Sequence, residues 1–314
     1  MEINDKVKGL LEAIEAKYKL EGQEFTAYLE GLLYNDYLNY WDYIQVDALL
    51  NLQHPRTNVP DEMIFIIYHQ ITELYFKLSL WEYDQILKQE NLTGEFMAER
   101  LRRVNNYFVN LTRSFEIMTH GMEKEQFLKF RLSLMPASGF QSVQYRMIEL
   151  ASTHLIQLVD KGKREEVKNA AIEEQYNYIY WKYGATEIDT GKKTLTLRQF
   201  EEKYADHLIN WAHKHNNHNL LTVYRQLSEK EKDNTRLVEA MKLLDMQVNV
   251  YWPLQHYKTA ARYLILHPTN DDLPATGGTN WQKYLPPRFQ RRVFFPELWT
   301  AEELEGWGTN VKED

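Results

Sequence analysis

One long apolar stretch constrains the fold more than any other feature of the chain. Residues 61–90 read DEMIFIIYHQITELYFKLSLWEYDQILKQE, with large apolar side chains three and four positions apart. That spacing matches the period of an α-helix and covers more than one face, which predicts a buried helix. Pro60, Asp61 and Glu62 are typical of a helix start, because acidic side chains stabilise the positive end of the helix dipole.

The rest of the chain follows the same period. Only 13 Gly and 9 Pro among 314 residues argue against an all-β fold, which needs many tight turns. Apolar spacing predicts further long helices at about 5–33, 96–120, 140–160, 197–215 and 228–266, and shorter ones near 37–53, 123–132 and 299–306. The predicted fold class is all-α, a large helical bundle.

The chain is predicted to divide into an arm and one domain. Residues 1–36 form an N-terminal helical arm, and residues 37–314 form a single helical domain. Segment 161–196 is charged, then tyrosine-rich, then glycine-containing, and it interrupts the helical pattern. We interpret that segment as a lid or an assembly contact.

Composition excludes several classes of function. The absence of cysteine excludes disulfides, thiolate zinc sites, iron–sulfur clusters and a cysteine nucleophile. A net charge of −8 argues against nucleic acid as a partner. No apolar run is long enough for a membrane span, and the N-terminus mixes charges through its apolar positions, unlike a signal peptide. We therefore expect a cytoplasmic protein with no membrane partner.

Aromatic residues are frequent, with 21 Tyr and 8 Trp. They fit either a large helical core with tyrosines at its rim or a pocket for a flat ligand, and composition alone does not separate the two.

Histidines form the first group of candidate functional residues. His207, His213, His215 and His218 lie close together in sequence, but no acidic or cysteine ligands accompany them at metal-binding spacing, so a metal site is disfavoured. His69 follows Phe65 by four residues within the apolar helix, so the two side chains share a face. Such a histidine is either a hydrogen-bonded core residue or a functional one.

Three further features favour a ligand site. His256 lies in a predicted helix three residues after Pro253, which should kink the helix and free a carbonyl; a buried imidazole there is either a haem ligand or structural. Arg131 follows Phe127, and its planar guanidinium suits either a ligand carboxylate or an internal salt bridge. The sequence ATGGT at 275–279 fits a polar loop that closes over a ligand, but not a phosphate loop, because no lysine follows.

Five segments together resemble the tryptophan 2,3-dioxygenase family of haem enzymes. They are YWDYIQVDALLNLQHP (40–55), DEMIFIIYHQITELYFK (61–77), FLKFRLSLMPASGFQSVQYR (127–146), HYKTAARYL (256–264) and TGGT (276–279). Their order and spacing are specific to that family. The resemblance is clearest over roughly 38–160 and 240–300.

The resemblance implies a helical fold that encloses haem b, ferrous when active, with O2 as co-substrate. His256 matches the family's axial iron ligand, and His69 matches the distal histidine that accepts a hydrogen bond from the indole N–H. Ser138 and Gly139 match the turn at the haem edge. The family forms homotetramers, as dimers of dimers.

The resemblance also implies how L-tryptophan is held. Phe65 and Phe127 match the wall around the indole, Arg131 matches the residue that binds the carboxylate, and Thr276 matches the loop residue at the substrate's ammonium and carboxylate. The residues that the family donates across a subunit interface into the neighbouring pocket correspond here to Tyr40, Tyr43 and Ile44.

The predicted reaction is insertion of O2 across the indole C2–C3 bond, giving N-formyl-L-kynurenine. One alternative is a related haem enzyme that oxidises a different tryptophan derivative or inserts a single oxygen. A second, of another class, is a haem-binding or haem-free helical module without catalysis. Missing pocket residues would favour the second alternative, but His69, Arg131, His256 and Thr276 are all present.

Overall fold

The all-α prediction is confirmed over the described part of the chain. The computed structural model describes residues 4–20, 22, 24–36, 38–135, 137–186, 192–265 and 286–309. Within these residues there are two isolated β-bridges, Val159 with Ile179 and Thr186 with Lys193, and no β-strand. No helix in these residues is both long and apolar enough to cross a membrane.

The helices of the described residues vary from about one turn to nearly eight turns in length. In chain order they are α1 (Asp5–Leu20), α2 (Phe25–Leu33), α3 (Tyr40–Tyr43), α4 (Val46–Leu50), α5 (Asp61–Lys88), α6 (Gly94–Thr119), α7 (Lys124–Phe130), α8 (Val143–Ser152), α9 (Leu155–Leu158), α10 (Arg164–Val167), α11 (Ile172–Asn177), α12 (Tyr180–Gly184), α13 (Leu195–Asn216), α14 (Leu220–Gln226), α15 (Glu229–Lys232), α16 (Thr235–Met246), α17 (Trp252–Leu264), α18 (Pro287–Gln290) and α19 (Ala301–Glu305). Short 3₁₀ turns span Arg131–Leu134, Gly139–Gln141 and Pro296–Leu298, and one π turn spans Gln247–Tyr251.

Three predicted long helices are interrupted in the structure. The one expected over 140–160 is divided into the 3₁₀ turn Gly139–Gln141, α8 and α9, because the backbone is extended at Thr153 after α8 ends. The helix expected over 5–33 is wrong as a single element, because α1 ends at Leu20 and α2 begins at Phe25. Between them Gly22 has a φ of 69°, a left-handed conformation that glycine adopts without strain. The helix expected over 228–266 is divided into α15, α16, the π turn and α17.

The chain divides into two compact units, residues 1–54 and residues 55–314. The first unit contains α1 to α4, and the rings of Tyr18 and Tyr28 stack between α1 and α2 with centroids 3.9 Å apart. None of its described residues is buried. The predicted arm lies inside this unit, and the predicted boundary after residue 36 stays a prediction.

The second unit is built around α5 and α6, which pack along each other. Helix α16 packs on α6, and α8 lies against both α5 and α13. The fully buried Phe76, Phe108 and Tyr83 belong to this main core. Replacing either phenylalanine by alanine would cost roughly 3–5 kcal/mol of stability, the usual effect of emptying an aromatic core position.

The tyrosine-rich part of segment 161–196 belongs to the same core. Tyr176, Tyr180 and Trp181 are buried among its apolar residues. Tyr180 also donates a hydrogen bond to the buried carboxylate of Glu149, at 2.6 Å. The proposed role of the segment as a lid or an assembly contact stays a prediction.

Two buried carboxylates attach the C-terminal region to the bundle. Glu149 on α8 forms ion pairs with Arg146 and with Arg292. Asp245 on α16 accepts hydrogen bonds from the backbone N–H groups of Phe294 at 2.7 Å and Phe295 at 3.0 Å. These contacts compensate the cost of removing charge from water.

Candidate active site

A second, smaller core joins the helices that carry the candidate residues. It contains eight buried side chains from α5, α6, α7 and α17 and the turns beside them: Tyr68, Phe115, Met118, Met122, Phe127, Phe130, Tyr263 and Leu264. Phe65 packs against it from α5. We call this set the site core.

His256 on α17 lies among aromatic rings. Its centroid is 6.0 Å from that of Phe115 and 5.7 Å from that of Trp252. Burial, with a smaller electrostatic contribution from His69, lowers the pKa of His256 to about 4. The imidazole is therefore neutral near pH 7, which is the state that a metal ligand requires.

His69 on α5 has a defined tautomer. Its Nδ1 lies 2.7 Å from the backbone carbonyl oxygen of Phe65. A carbonyl only accepts, so Nδ1 carries the hydrogen and Nε2 is left as an acceptor. The ring keeps accessible surface, yet burial lowers its pKa below the ordinary 6.5. His69 therefore packs against Phe65 and Tyr68 on one side and is accessible on the other.

Aromatic rings surround the Phe65 side of His69. The centroids of Phe65 and His69 are 4.1 Å apart, and those of Phe65 and Phe127 are 6.4 Å apart. Phe130 lies 5.8 Å from Phe65 and 5.5 Å from Phe127. These centroid separations are typical of packed aromatic pairs, and they form a wall suited to another flat ring.

Phe130 belongs to this aromatic wall, although the sequence analysis did not include it among the candidate site residues. It is fully buried, follows Phe127 by three residues and directly precedes Arg131. Its position on the same helical face as Phe127 was the available signal.

Arg131 begins the 3₁₀ turn that follows α7, so its backbone continues directly from the aromatic wall. Only 6% of its surface is exposed. Burial lowers its pKa from the ordinary 12.5, but a guanidinium keeps its charge at neutral pH. The site therefore contains a buried cation of the geometry that binds carboxylates in a bidentate manner.

The turn at Ser138 and Gly139 lies against His256. A β-carbon built on Gly139 would lie 3.2 Å from His256 Cε1 and 3.8 Å from Nε2. The backbone N–H of Ser138 donates to Gln141 Oε1 at 2.9 Å, which fixes the turn. Glycine at this position lets the main chain approach the imidazole closely.

Most predicted site residues come together in the second unit. Three others lie in the first unit, and one lies outside the described residues. Phe65, Phe127 and Phe130 contact one another, as His256 and Gly139 do. Tyr40, Tyr43 and Ile44 lie in the first unit and are exposed. Thr276 lies outside the described residues.

The four clustered histidines have separate partners. His213 pairs with Glu173 at 2.7 Å, His215 with the carbonyl of His218, and His218 with the carbonyl of Leu87. The ring of His207 lies beside that of Trp211. In the described ranges, no group of three or more His, Cys, Asp or Glu side chains is arranged to hold a metal ion.

Known proteins resemble this chain along most of its length. A family model described as tryptophan 2,3-dioxygenase matches residues 31–155. A tryptophan 2,3-dioxygenase of Bacillus cereus (strain ZK / E33L) is 30% identical over 278 residues, which are 85% of this chain and 93% of the relative. Proteins of the same name from Ruegeria sp. (strain TM1040) and Herpetosiphon aurantiacus are 28% and 29% identical, over 84% and 83% of this chain and 92% and 96% of the relatives.

Fold, site and relatives together define the class of protein. The chain is all-α, with two neutral imidazoles beside an aromatic site core, and its relatives are dioxygenases. It is therefore a helical oxidoreductase. Within that class, it belongs to the tryptophan 2,3-dioxygenase family.

Proposed function

We propose that the chain binds haem b through His256 and inserts both atoms of O2 across the indole C2–C3 bond of L-tryptophan, giving N-formyl-L-kynurenine. The observation that carries the proposal is the placement of two neutral imidazoles against one aromatic site core, with His69 beside Tyr68 and His256 beside Phe115. Haem, when bound, supplies the activation of dioxygen, and the protein supplies binding and orientation.

The residues around His256 fit a haem. An imidazole without charge needs no deprotonation before it binds iron. Phe115 and Trp252 offer apolar surface beside it, and Gly139 brings main chain rather than a side chain close to its Cε1–Nε2 edge. A planar, largely apolar ring system with one nitrogen ligand matches this lining.

The substrate proposal rests on three complementary groups. L-Tryptophan carries a carboxylate, an ammonium and a flat apolar ring. Arg131 would bind the carboxylate, and the rings of Phe65, Phe127 and Phe130 would hold the indole. We propose that Thr276 binds the ammonium and carboxylate.

His69 would act by orientation. Its Nε2 is available to accept a hydrogen bond from the indole N–H, because Phe65 fixes the other ring hydrogen. One such bond contributes about 1 kcal/mol, enough to select one orientation of the ring. It need not remove the indole proton, since oxygen can add to the C2–C3 bond while the N–H stays in place.

We further propose that the enzyme works as a cytoplasmic homotetramer, a dimer of dimers, in which Tyr40, Tyr43 and Ile44 complete the pocket of a neighbouring subunit. The first unit supports this proposal. None of its described residues is buried, and the large side chains of Tyr40 and Tyr43 are 72% and 76% exposed. Apolar surface of this extent normally meets another protein surface.

The test uses purified protein loaded with hemin and reduced without oxygen. After air and L-tryptophan are added, we expect the near-ultraviolet absorbance of N-formyl-L-kynurenine to rise. His256→Ala should lose the Soret band and the product, while His207→Ala, an exposed histidine outside the site core, should keep both. A colourless wild-type protein that does not take up hemin, or a His256→Ala variant with a full Soret band, would contradict the proposal.

A further inference from the structure

The helix that leads to His256 contains an irregular turn. Between α16 and α17, residues Gln247–Tyr251 form a π turn, and the N–H of Trp252 donates to the carbonyl of Gln247, five residues earlier. The next residue, Pro253, has no N–H to donate. In this five-residue register, an N–H at position 253 would donate a hydrogen bond to the carbonyl of Val248.

A side chain from another helix supplies the missing donor. The hydroxyl of Tyr145 on α8 donates to the carbonyl oxygen of Val248 at 2.8 Å, although the two residues are 103 positions apart in sequence. Both residues are buried, so water cannot take this role.

The Tyr145 hydroxyl is held as a donor. Burial raises its pKa, so the phenol stays neutral and keeps its hydrogen. Arg292 Nη1 donates to the Tyr145 oxygen at 3.4 Å, which leaves the phenol hydrogen directed at Val248. The Tyr145 ring also packs on Trp252, with centroids 5.0 Å apart, and Trp252 in turn packs on His256.

A second contact supports the same turn. Asn249 Nδ2 donates to Asp245 Oδ1 at 2.7 Å, and both side chains are buried. The π turn is thus held from α8 at Val248 and from α16 at Asn249.

The register of this turn decides where His256 points. A π turn accommodates one more residue than an α turn, so its loss would rotate all later side chains by about 100° around the helix axis. We propose that Tyr145 is a positioning residue for His256: its hydroxyl replaces the hydrogen bond that Pro253 cannot make, holds the π turn and so directs the imidazole. This inference rests on the proposed role of His256 as the iron ligand.

Tyr145→Phe removes the hydroxyl and keeps the ring. The matched control is Tyr83→Phe, because Tyr83 is equally buried and its hydroxyl bonds Ser152 at 2.9 Å, outside the π turn. Both variants should lower the melting temperature of the apoprotein. Only Tyr145→Phe should speed the transfer of hemin to excess apomyoglobin, by about five- to tenfold for one lost buried hydrogen bond, and shift or broaden the iron–imidazole band in resonance Raman spectra.

A rescue experiment tests the role of Pro253. In Tyr145→Phe/Pro253→Ala, the new N–H at position 253 can donate to the Val248 carbonyl, so hemin retention and the Raman band should return toward the wild type. Equal hemin loss in Tyr145→Phe and Tyr83→Phe, or no recovery in the double variant, would overturn the inference. If Tyr145→Phe does not fold, the double variant decides: a folded protein that retains hemin supports the inference, and an unfolded one overturns it.

These outcomes are separate from a failure of the proposed function. If His256 is not the ligand, the wild-type protein itself would lack the iron–imidazole band. If the function is correct and the inference is wrong, the wild type would show the band and Tyr145→Phe would leave it unchanged.

Discussion

At the scale of single residues, the surrounding protein determines the tautomer or the charge state of the candidate site residues. The Phe65 carbonyl fixes the tautomer of His69, and burial keeps His69 and His256 neutral. Arg131 keeps its charge in a buried position. A neutral acceptor, a neutral imidazole and a cation are the three groups that the proposed haem and tryptophan would require.

Arg131 should matter for substrate binding. Arg131→Ala would leave the tryptophan carboxylate without its cation in a dry pocket, at a cost of roughly 3–5 kcal/mol. We expect kcat/KM for L-tryptophan to fall about 100-fold or more, chiefly through KM, with hemin content unchanged. Arg113→Ala, on the exposed face of α6, is the control and should leave both values alone. Wild-type kinetics in Arg131→Ala would assign carboxylate binding to another residue.

His69 should set an acidic limit to activity. Protonation would turn Nε2 into a donor and abolish its hydrogen bond to the indole N–H. Because burial lowers the pKa of His69, this charge should appear only below pH 6.5. The free energy of unfolding should change in the same direction. The unfolded chain takes up the proton at a higher pH than the folded protein, so stability falls as the pH falls through 6.5.

The measurement is the pH profile of kcat/KM. We expect a fall on the acid side that begins below pH 6.5 and is reduced in His69→Ala, which should also lose about five- to tenfold in kcat/KM for the missing hydrogen bond. An identical acid limb in the wild type and in His69→Ala would show that another group is responsible.

At the scale of elements, the packing of four helices creates the site. Helices α5, α6, α7 and α17 meet in the site core, and the turn at Gly139 adds main chain beside His256. The C-terminal region stabilises α16 through Asp245, whose Oδ2 also accepts from Trp299 Nε1 at 3.0 Å. Since α16 leads into α17, the contacts of Asp245 contribute to the placement of α17 and therefore of His256.

Asp245→Asn should therefore destabilise the protein. The carboxylate accepts four hydrogen bonds, whereas an amide accepts on one side only and presents hydrogens to the donors on the other. Burial raises the pKa of Asp245 to about 6, and removal of this buried charge offsets part of the loss. We expect the free energy of unfolding in urea to fall by about 2 kcal/mol.

Asp84→Asn is the matched control for that change. Asp84 is partly exposed and pairs with Lys88 at 2.7 Å along α5, so its loss should cost less than about 1 kcal/mol. Equal destabilisation by the two variants would mean that the Asp245 hydrogen bonds contribute little.

At the scale of the whole molecule, the exposed first unit predicts that activity depends on assembly. If Tyr40, Tyr43 and Ile44 complete a neighbouring pocket, dilution below the dissociation concentration should lower specific activity in step with the mass measured by light scattering. Tyr43→Ala should lower kcat/KM while hemin content stays at the wild-type value. A fully active monomer would contradict the proposed exchange between subunits.

The sequence was sufficient for the helices whose apolar period is uninterrupted. α5 covers almost all of the predicted 61–90 stretch, because 28 residues of strong helical spacing leave little choice of period. The interruptions of the helices were harder to predict from the sequence. The break at Gly22 and the π turn depend on single residues within otherwise helical patterns. Pro253 indicated a disturbed helix, but its hydrogen-bond substitute, Tyr145, lies too far away in sequence for any local pattern to reveal.

The candidate site shows the same division. Phe65 and His69 were paired correctly on one helical face, since four-residue spacing determines this directly. The tautomer of His69 and the contact of Gly139 with His256 required coordinates, because they depend on atoms from one hydrogen bond and from two distant segments.

The contacts of residues 292–299 have a consequence for biosynthesis. The ribosome adds this segment after every helix that it braces, and until it arrives Glu149 lacks Arg292 while Asp245 lacks the N–H groups of Phe294 and Phe295. A nascent chain would thus hold two incompletely compensated anions where its interior should close. A premature stop before this segment should yield a product that cellular proteases remove, even though all the proposed haem and substrate residues had been translated.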